Sequence, residues 1–468
     1  MEASPRKVHY MDRHDTSMTE GPIIQHLIWF ALPLMVGYIF QQLYNAVDSI
    51  IVGRFVSMQA LAAVGSTGNI INTLIGAFMG LATGTGVIIA QNYGAREDER
   101  VSQAVHTSMV LALLFGATLT IIGYFFAPAM LRFMCTPDDV FPDALLYLRI
   151  YFAGSAALLV YNLGAGILRA VGDSRRPVYF LVASAAVNVV LDLVFVAGFQ
   201  MGIAGVGWAT VIAELVSAAW VVVTLMRTEE SYQLRLSQLK IHGAMLKKIL
   251  RIGLPSSFQQ MLVNFSNVFV QSYINSFQTA CMAGWSSFGK IDGFSTIPLS
   301  AFSMAVTTFV GQNIGAGRLD RAKKGVNAAL LLCTVSVIII VIPLEIFAPS
   351  LIGLFGAEGE ALDYGIMFLR WLAPLGIMLL GSSVHGGALR GAGDTIWPTI
   401  IQMLGFIAVR QVYLAVIARL TDSSLLVGMS YPVGRFACSA GLILYYYCSG
   451  WERRMLHLTE KSGQAHMG

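Results

Sequence analysis

This sequence of 468 residues contains few charged residues, because only 12% are Asp, Glu, Lys or Arg. A soluble globular protein carries roughly 25%. Hydrophobic residues make up 56% of the chain, and the mean hydropathy is +0.67. This composition indicates a protein whose outer surface meets lipid. The formal net charge of +4 comes from basic residues in loops between apolar runs, so we expect membrane lipid and no nucleic acid as a partner.

Other absences exclude further classes of protein. The five cysteines (Cys135, Cys281, Cys333, Cys438 and Cys448) form no CxxC pair and have no metal-ligand spacing, so we interpret them as small apolar residues. No glycine-rich phosphate loop occurs, which argues against ATP-driven transport and predicts no bound cofactor. Residues 1–22 contain no apolar core, so we expect no cleavable signal peptide before the first apolar run.

Twelve apolar runs are long enough to cross a membrane, which takes roughly 20 residues each. The sequence therefore predicts an all-α membrane protein of twelve transmembrane helices. The runs cover 24–52, 60–90, 104–131, 143–168, 177–200, 203–226, 248–276, 281–310, 325–349, 363–388, 396–418 and 424–449.

The basic residues are distributed unevenly between the two sets of loops. One set holds most of the Lys and Arg residues, including those of the segment 227–247, whereas the opposite set is mostly acidic, with Asp138, Asp139, Asp143, Glu358 and Glu360. Basic loops stay in the cytoplasm. We therefore predict a multi-pass protein of the inner cell membrane with both termini cytoplasmic.

The two halves of the chain share sequence motifs. The QN-x-GA motif at 91–95 recurs at 312–316, and the LR-x-x-GD-x-x-x-P motif at 168–177 recurs at 389–398, in both cases 221 residues later. An internal repeat of this kind decides the architecture of a membrane protein. Because each copy holds six spans, the second copy begins on the same side of the membrane as the first, and the repeats are parallel.

The repeat divides the chain into two similar six-helix bundles. We expect an N-terminal tail at 1–23, a first bundle at 24–226, a linker at 227–247, a second bundle at 248–449 and a C-terminal tail at 450–468. A cavity between two such bundles can open to either side of the membrane when they rock against each other, which is the geometry of alternating access.

Polar residues inside the first bundle indicate a cation site. Asp48 lies in span one, Asn188 and Asp192 share one face of span five, and Thr210 lies in span six. Counting about 1.5 Å per residue places them in one layer of the outer half of the bundle. Ionisable groups within a membrane are costly and mark function by default. We predict that these residues bind H⁺ or Na⁺, and that Glu214, one turn further, extends a proton path.

The second bundle does not repeat this cluster. Its equivalent positions are Val270, Val409, Tyr413, Tyr431 and Arg435. We therefore expect coupling to an ion only in the first bundle. The second bundle instead carries the charges Lys290, Asp292, Arg410 and Arg435. Lys290 and Asp292 do not face each other on a helix, and we interpret each as pairing with another span for helix packing.

The paired loop motifs, the aspartate of span one and the N-x-x-x-D of span five resemble the multidrug and toxic compound extrusion (MATE) family over residues 24 to 450. The segment Gly289-Lys290-Ile291-Asp292 is most similar to the bacterial branch of the DNA-damage-inducible and MepA-type exporters. The resemblance implies a monomeric transporter, not an enzyme, that exports cationic amphipathic drugs in exchange for H⁺ or Na⁺. It also implies that Asp48, Asn188, Asp192 and Thr210 form the cation site.

Aromatic and polar residues are candidates for the substrate cavity, since flat cations are attracted to aromatic faces. The candidates are Tyr44, Phe258, Gln259, Met261, Phe265, Phe288, Lys290, Asp292 and Phe294.

Two alternative functions stay open. A flippase for a lipid-linked saccharide shares this general architecture and would bind a pyrophosphate through residues such as Arg410, Arg435 and Lys290. A membrane aspartyl protease is suggested by the GxGD sequence that ends at Asp394, whose repeat copy ends at Asp173. The acidic cluster of the first bundle favours the exporter over both.

Overall fold

The computed structural model describes residues 17–134, 136–354 and 356–452, and every regular element within these ranges is helical. Cys135, the first sixteen residues of the predicted N-terminal tail and most of the predicted C-terminal tail lie outside the described residues.

Within the described residues, each half of the chain forms six long helices, in agreement with the predicted fold, and the C-terminal half also contains the short helix Ala348–Leu354. The N-terminal lobe consists of α1 (Ile23–Phe55), α2 (Met58–Gly94), α3 (Asp98–Phe133), α4 (Phe141–Ala153 and Ser155–Ala170), α5 (Arg175–Gly198) and α6 (Gly202–Arg227). The C-terminal lobe consists of α7 (Gly243–Ile274), α8 (Thr279–Gly315), α9 (Leu319–Ile346), α10 (Glu360–Leu372 and Pro374–Gly391), α11 (Ile396–Leu420) and α12 (Ser424–Gly428 and Ser430–Cys448).

Most of these helices can cross a membrane by length and hydropathy. Among the described residues, eight unbroken segments qualify, and α4 and α10 qualify as bent pairs with angles of 48° and 41°. The bends lie within one residue of repeat-equivalent places, at Gly154 and at Pro374, and proline explains the second because it removes a helix hydrogen bond. The remaining helices are more polar: α7 begins with several Lys and Arg residues, and α12 contains Arg435.

The LR-x-x-GD motifs build matching turns between helices. Gly172 and Gly393 have φ angles of 101° and 84°, a left-handed conformation that favours glycine. After the first turn, Asp173 Oδ1 accepts hydrogen bonds from the backbone nitrogens of Arg175 and Arg176, both 3.1 Å long, and so caps the start of α5. Asp394 Oδ2 accepts a 2.8 Å bond from the Tyr445 hydroxyl.

The segment between the lobes is fixed to the N-terminal lobe. Tyr232 and Leu234 are buried in its core. The backbone nitrogen of Arg235 donates a hydrogen bond to His106 Nε2, and the backbone nitrogen of His242 donates one to Thr107 Oγ1; each bond is 3.1 Å long. The connection therefore follows the surface of α3 before α7 begins.

Glycines on α2 let the two lobes approach closely at one end. A β-carbon added at Gly80 would overlap the backbone of Ser257 on α7, and one added at Gly84 would meet the backbone oxygen of Ile249. A β-carbon at Gly65, near the other end of α2, would have no atom within 4 Å. The lobes are therefore in backbone contact at the end of α2 that leads to Gly94, and Gly65 makes no such contact.

Two reciprocal hydrogen bonds close the contacting end. Gln91 Nε2 on α2 donates a 2.8 Å hydrogen bond to the backbone oxygen of Gly391 on α10. Gln312 Nε2 on α8 donates a 2.7 Å hydrogen bond to the backbone oxygen of Ala170 on α4. Both donors and both acceptors are 221 residues apart. The motifs that reveal the repeat thus bind crosswise between the lobes. We call these four residues the inter-lobe clasp.

Candidate cation site

Asp48 of α1 and Asp192 of α5 meet inside the N-terminal lobe. Asp192 is completely buried, and the two carboxyl groups lie within hydrogen-bonding reach of each other. A bond between two carboxyl groups needs a proton on one of them. When both are ionised, Asp48 Oδ1 and both oxygens of Asp192 have no hydrogen-bond donor among the described residues. The pair is therefore complete only with a shared proton or a bound cation.

Asn188 lies one helical turn before Asp192 and is 2% exposed. Its Oδ1 and Nδ2 atoms also lack hydrogen-bond partners within the described part of the chain. A buried amide without partners is costly, so this side chain is available to a ligand beside the two carboxyl groups. The π-helical turn Leu193–Gly198 follows directly, and such turns are frequent at functional sites.

The structure places Thr210 differently from the two aspartates. Its hydroxyl donates a 3.1 Å hydrogen bond to the backbone oxygen of Val206 in its own helix, which leaves only the oxygen lone pairs for a ligand. The residue lies on α6, which packs against α5, but within the described residues no hydrogen bond joins it to Asp48 or Asp192. Its predicted part in the site stays a prediction.

Glu214 and three tyrosines extend the cluster. The Tyr151 hydroxyl lies within hydrogen-bonding reach of the Glu214 carboxyl group, and Tyr147 is buried on the same helix. Tyr44 of α1 lies close enough to Glu214, Asp48 and Asp192 to interact with their charges. Tyr44 therefore lies beside the acids, and its predicted place in the substrate cavity stays a prediction.

Sequence reasoning did not find Tyr147 and Tyr151. They lie four residues apart on α4, with ring centroids 6.4 Å apart, and thus share one face of the helix. This spacing was the available signal. It was weak because aromatic residues at helical spacing are common in any apolar core.

The candidate cavity residues of the C-terminal lobe fall into several environments. Phe288 was wrongly assigned to the cavity, because it is 2% exposed and packs between Trp285 and Phe368 in a core cluster. Gln259 of α7 donates a hydrogen bond to Gln402 Oε1 of α11. The remaining apolar candidates are exposed or half-buried: Phe258, Met261, Phe265 and Phe294.

The charged candidates also separate. Asp292 is buried and forms a 2.9 Å ion pair with Arg435 of α12, whereas Lys290 is exposed. The pairing of Asp292 with another helix follows the packing interpretation of these charges. It leaves Asp292 without a free carboxylate oxygen, because its second oxygen accepts a 2.9 Å bond from Ser295 Oγ.

The two aspartates of the GD motifs do not form a protease site. Asp173 caps α5 in one lobe and Asp394 binds Tyr445 in the other. Both lie at helix ends, and each is engaged by its own lobe. The structure therefore argues against the membrane protease.

The fold and the acidic cluster together define a membrane transport protein built from two parallel six-helix lobes. The sequence profile of the MatE family matches residues 33–194 and again residues 255–416, so the same profile fits both halves. The chain belongs to this family, the multidrug and toxic compound extrusion (MATE) transporters.

Relatives and solved structures agree with this membership. A probable multidrug resistance protein of Bacillus subtilis, YoeA, is 29% identical over 91% of this chain and 94% of its own length. A second from the same organism, YpnP, is 26% identical over 95% of this chain and 99% of its own length. The structure of a multidrug resistance MATE family transporter in an outward-facing conformation superposes with a TM-score of 0.87 at 24% identity, covering 95% of this chain and 98% of that one.

Proposed function

We propose that this protein is a secondary active exporter that exchanges cationic amphipathic molecules for H⁺ or Na⁺. The observation that carries the proposal is the buried acidic cluster, in which Asp48 and Asp192 face each other with no donor for their oxygens among the described residues. The names of the relatives, which are probable multidrug resistance proteins, support the choice of substrates.

The coupling follows from the chemistry of the acid pair. Two adjacent buried carboxylates repel each other, and a proton or a monovalent cation between them removes that repulsion. The site therefore has a loaded and an empty form with different electrostatic energies. An ion that enters from one side of the membrane can change the preferred arrangement of the helices α1 and α5, which carry the pair.

The inter-lobe clasp supports alternating access. It holds the lobes together at the end that carries the basic loops, whereas a β-carbon added at Gly65, near the opposite end of α2, would meet no atom within 4 Å. This arrangement corresponds to an outward-facing state if the basic loops are cytoplasmic. Release of the clasp would let the lobes separate at the cytoplasmic end. No bound cofactor is part of this proposal.

Substitution of Asp192 tests the coupling. Asp192→Asn keeps the shape of the side chain and removes the charge, so gradient-driven efflux of ethidium from vesicles should fall to background. Thermal stability should be retained or rise slightly, because an unpaired buried carboxylate is costly. Efflux driven in turn by a pH gradient and by a Na⁺ gradient identifies the ion.

Tyr413→Phe is the matched control, since Tyr413 is the repeat-equivalent residue of the C-terminal lobe. It should leave coupled efflux intact. Full activity in purified Asp192→Asn, or loss of coupling only in Tyr413→Phe, would show that the acid pair does not drive transport.

The proposed orientation in the inner cell membrane has its own test. Cysteines placed at Lys240, in the basic connector, and at Asp139, in an acidic loop, are both at exposed positions. In intact cells and a background without the native cysteines, an impermeant thiol reagent should label position 139 and not position 240. Labelling of position 240 from outside would show that the predicted topology is wrong.

The expected monomeric state has a separate test, which is light scattering of the purified protein.

A further inference from the structure

The C-terminal lobe contains a second group of buried charges, which the proposed coupling does not use. Arg410 of α11 is 1% exposed and Arg435 of α12 is 6% exposed. Arg435 is the repeat-equivalent of Glu214, and Tyr431 is that of Thr210. The group therefore occupies the place in the C-terminal lobe that the acidic cluster occupies in the N-terminal lobe.

The two arginines differ in how their hydrogen-bond donors are satisfied. Arg435 Nη2 donates to Asp292 Oδ2 over 2.9 Å. Arg410 Nη1 donates to Asn267 Oδ1 over 2.9 Å and more weakly to Ser266 Oγ over 3.3 Å. The Nε and Nη2 atoms of Arg410 form no hydrogen bond of normal geometry among the described residues, and the nearest polar side chain on that side is the Tyr431 hydroxyl. This buried guanidinium thus keeps two donors without a partner and has no carboxylate of its own.

The surrounding helices do not supply the missing negative charge. The described residues of α7, α8, α10, α11 and α12 contain three acidic residues. Glu360 and Asp363 lie in the first turn of α10, and the third is Asp292 on α8. Two buried guanidinium groups therefore share one carboxylate. Arginine stays charged in such a site, and an unpaired buried charge is costly unless an anion compensates it.

Other features fit an anionic group. The Arg410 Cζ atom lies 4.0 Å from the centre of the Tyr431 ring, so the ring covers one face of the guanidinium and its edge is left for hydrogen bonds. A β-carbon added at Gly376 would lie 3.7 Å from Arg435 Nη1, which is an ordinary van der Waals distance. The glycine therefore leaves at least methyl-sized space next to the second positive charge.

We propose that the C-terminal lobe binds an anionic group at Arg410, beside Arg435. The Nε and Nη2 donors of a guanidinium are parallel and match the two oxygens of a carboxylate or phosphate. The group comes either from a small free anion or from an acidic substituent of the transported molecule. The second source rests on the proposed export function and extends it to zwitterionic amphiphiles, with the cationic part of the molecule in the cleft and the acidic part at Arg410.

A matched pair of dyes tests the second source. Rhodamine B is a cation that also carries a free carboxylate, and its ethyl ester has the same ring system without that carboxylate. In vesicles containing purified protein, Arg410→Met should raise the KM for rhodamine B about tenfold or more, the usual scale for losing a charge-assisted bidentate bond. The KM for the ester should stay within about twofold.

Arg419→Met is the matched control for the dye experiment, because Arg419 is an exposed arginine at the far end of the same helix. It should change neither KM. An equal rise for both dyes in Arg410→Met would mean that the arginine acts through packing, and an unchanged ratio of the two KM values would exclude the substrate carboxylate as the ligand.

Thermal melting of the purified protein tests the first source. Sodium chloride, sodium acetate and sodium phosphate are each titrated into wild type and into Arg410→Met, and the variant measures the general effect of salt. A saturable rise of the wild-type melting midpoint that the variant lacks would identify a free anion. If Arg410→Met does not fold, Arg410→Lys keeps the charge without the parallel donors and should show a weaker rise. If that variant also fails to fold, the three salts are compared in wild type at equal Na⁺ concentration: a saturable rise that depends on the anion supports the site, and identical curves for the three salts overturn it.

The outcomes separate this inference from the proposed function. Export of neither dye by wild type contradicts the exporter, while the melting experiment still tests the anion site. Export of both dyes with no dependence on Arg410, together with melting curves that respond equally to salt in wild type and variant, overturns the anion site and leaves the exporter standing.

Discussion

The two lobes share one arrangement of six helices and differ in charge at equivalent positions. Glu214 of the N-terminal lobe corresponds to Arg435 of the C-terminal lobe, and Asp192 corresponds to Tyr413. The N-terminal acids have oxygens without donors in the described structure, whereas Asp292 of the C-terminal lobe has a partner for each of its oxygens. Chemistry has thus diverged on a repeated scaffold, in keeping with the rule that function lies in sites and not in folds.

This difference separates functional acids from structural ones. A buried carboxylate with a complete set of partners stabilises the arrangement of helices around it and has no capacity for a ligand. A buried carboxylate without partners raises the energy of the empty protein and gains by binding. The same residue type therefore has opposite expected effects on stability in the two lobes.

Substitution of Asp292 should have the largest effect on stability. Asp292→Asn removes one partner of a buried ion pair and leaves Arg435 uncompensated, a change that costs about 3–5 kcal/mol. Asp192→Asn in the N-terminal lobe should cost nothing by the same argument. Thermal melting of both purified variants in one detergent measures the contrast.

Asp422→Asn controls for the loss of an exposed acid, since Asp422 lies in the loop between α11 and α12, and it should melt like wild type. If Asp192→Asn proved as destabilising as Asp292→Asn, the distinction between functional and structural acids in this protein would be lost.

The inter-lobe clasp predicts a smaller effect. Gln91→Leu removes one hydrogen bond between the lobes, worth about 1 kcal/mol, and should shift the balance between clasped and released states about fivefold toward release. Gln312→Leu removes the repeat-equivalent bond and also the acceptor of a 2.8 Å bond from the backbone nitrogen of Met18, so its shift should be larger.

Spin labels at the repeat-equivalent positions Arg175 and Ile396, both exposed, would measure the distance between the lobes. The fraction of long distances should rise in both variants, more in Gln312→Leu than in Gln91→Leu, and stay unchanged in Gln238→Leu, at an exposed position in the connector. No rise in Gln91→Leu would refute the two-sided clasp.

Much of the fold was predictable because it depends on local and periodic features. Hydropathy runs predict the helices, since each must satisfy its own backbone within lipid. The 221-residue offset of the loop motifs predicts the two lobes. Asp48 and Asp192 were found because acids within apolar runs are conspicuous, but Tyr147 and Tyr151 were missed and Phe288 was wrongly assigned, because aromatic residues are common in apolar helices.

The sequence by itself determined the number of helices, the repeat and the position of each charge along its helix. Only the tertiary structure decided which charges meet: Asp48 with Asp192, Asp292 with Arg435, and Arg410 with no acid in the described residues. It also decided that Gln91 binds Gly391 across the lobes. The physical reason is that periodicity along a helix fixes the faces on which residues lie, whereas contacts depend on how helices far apart in sequence pack together.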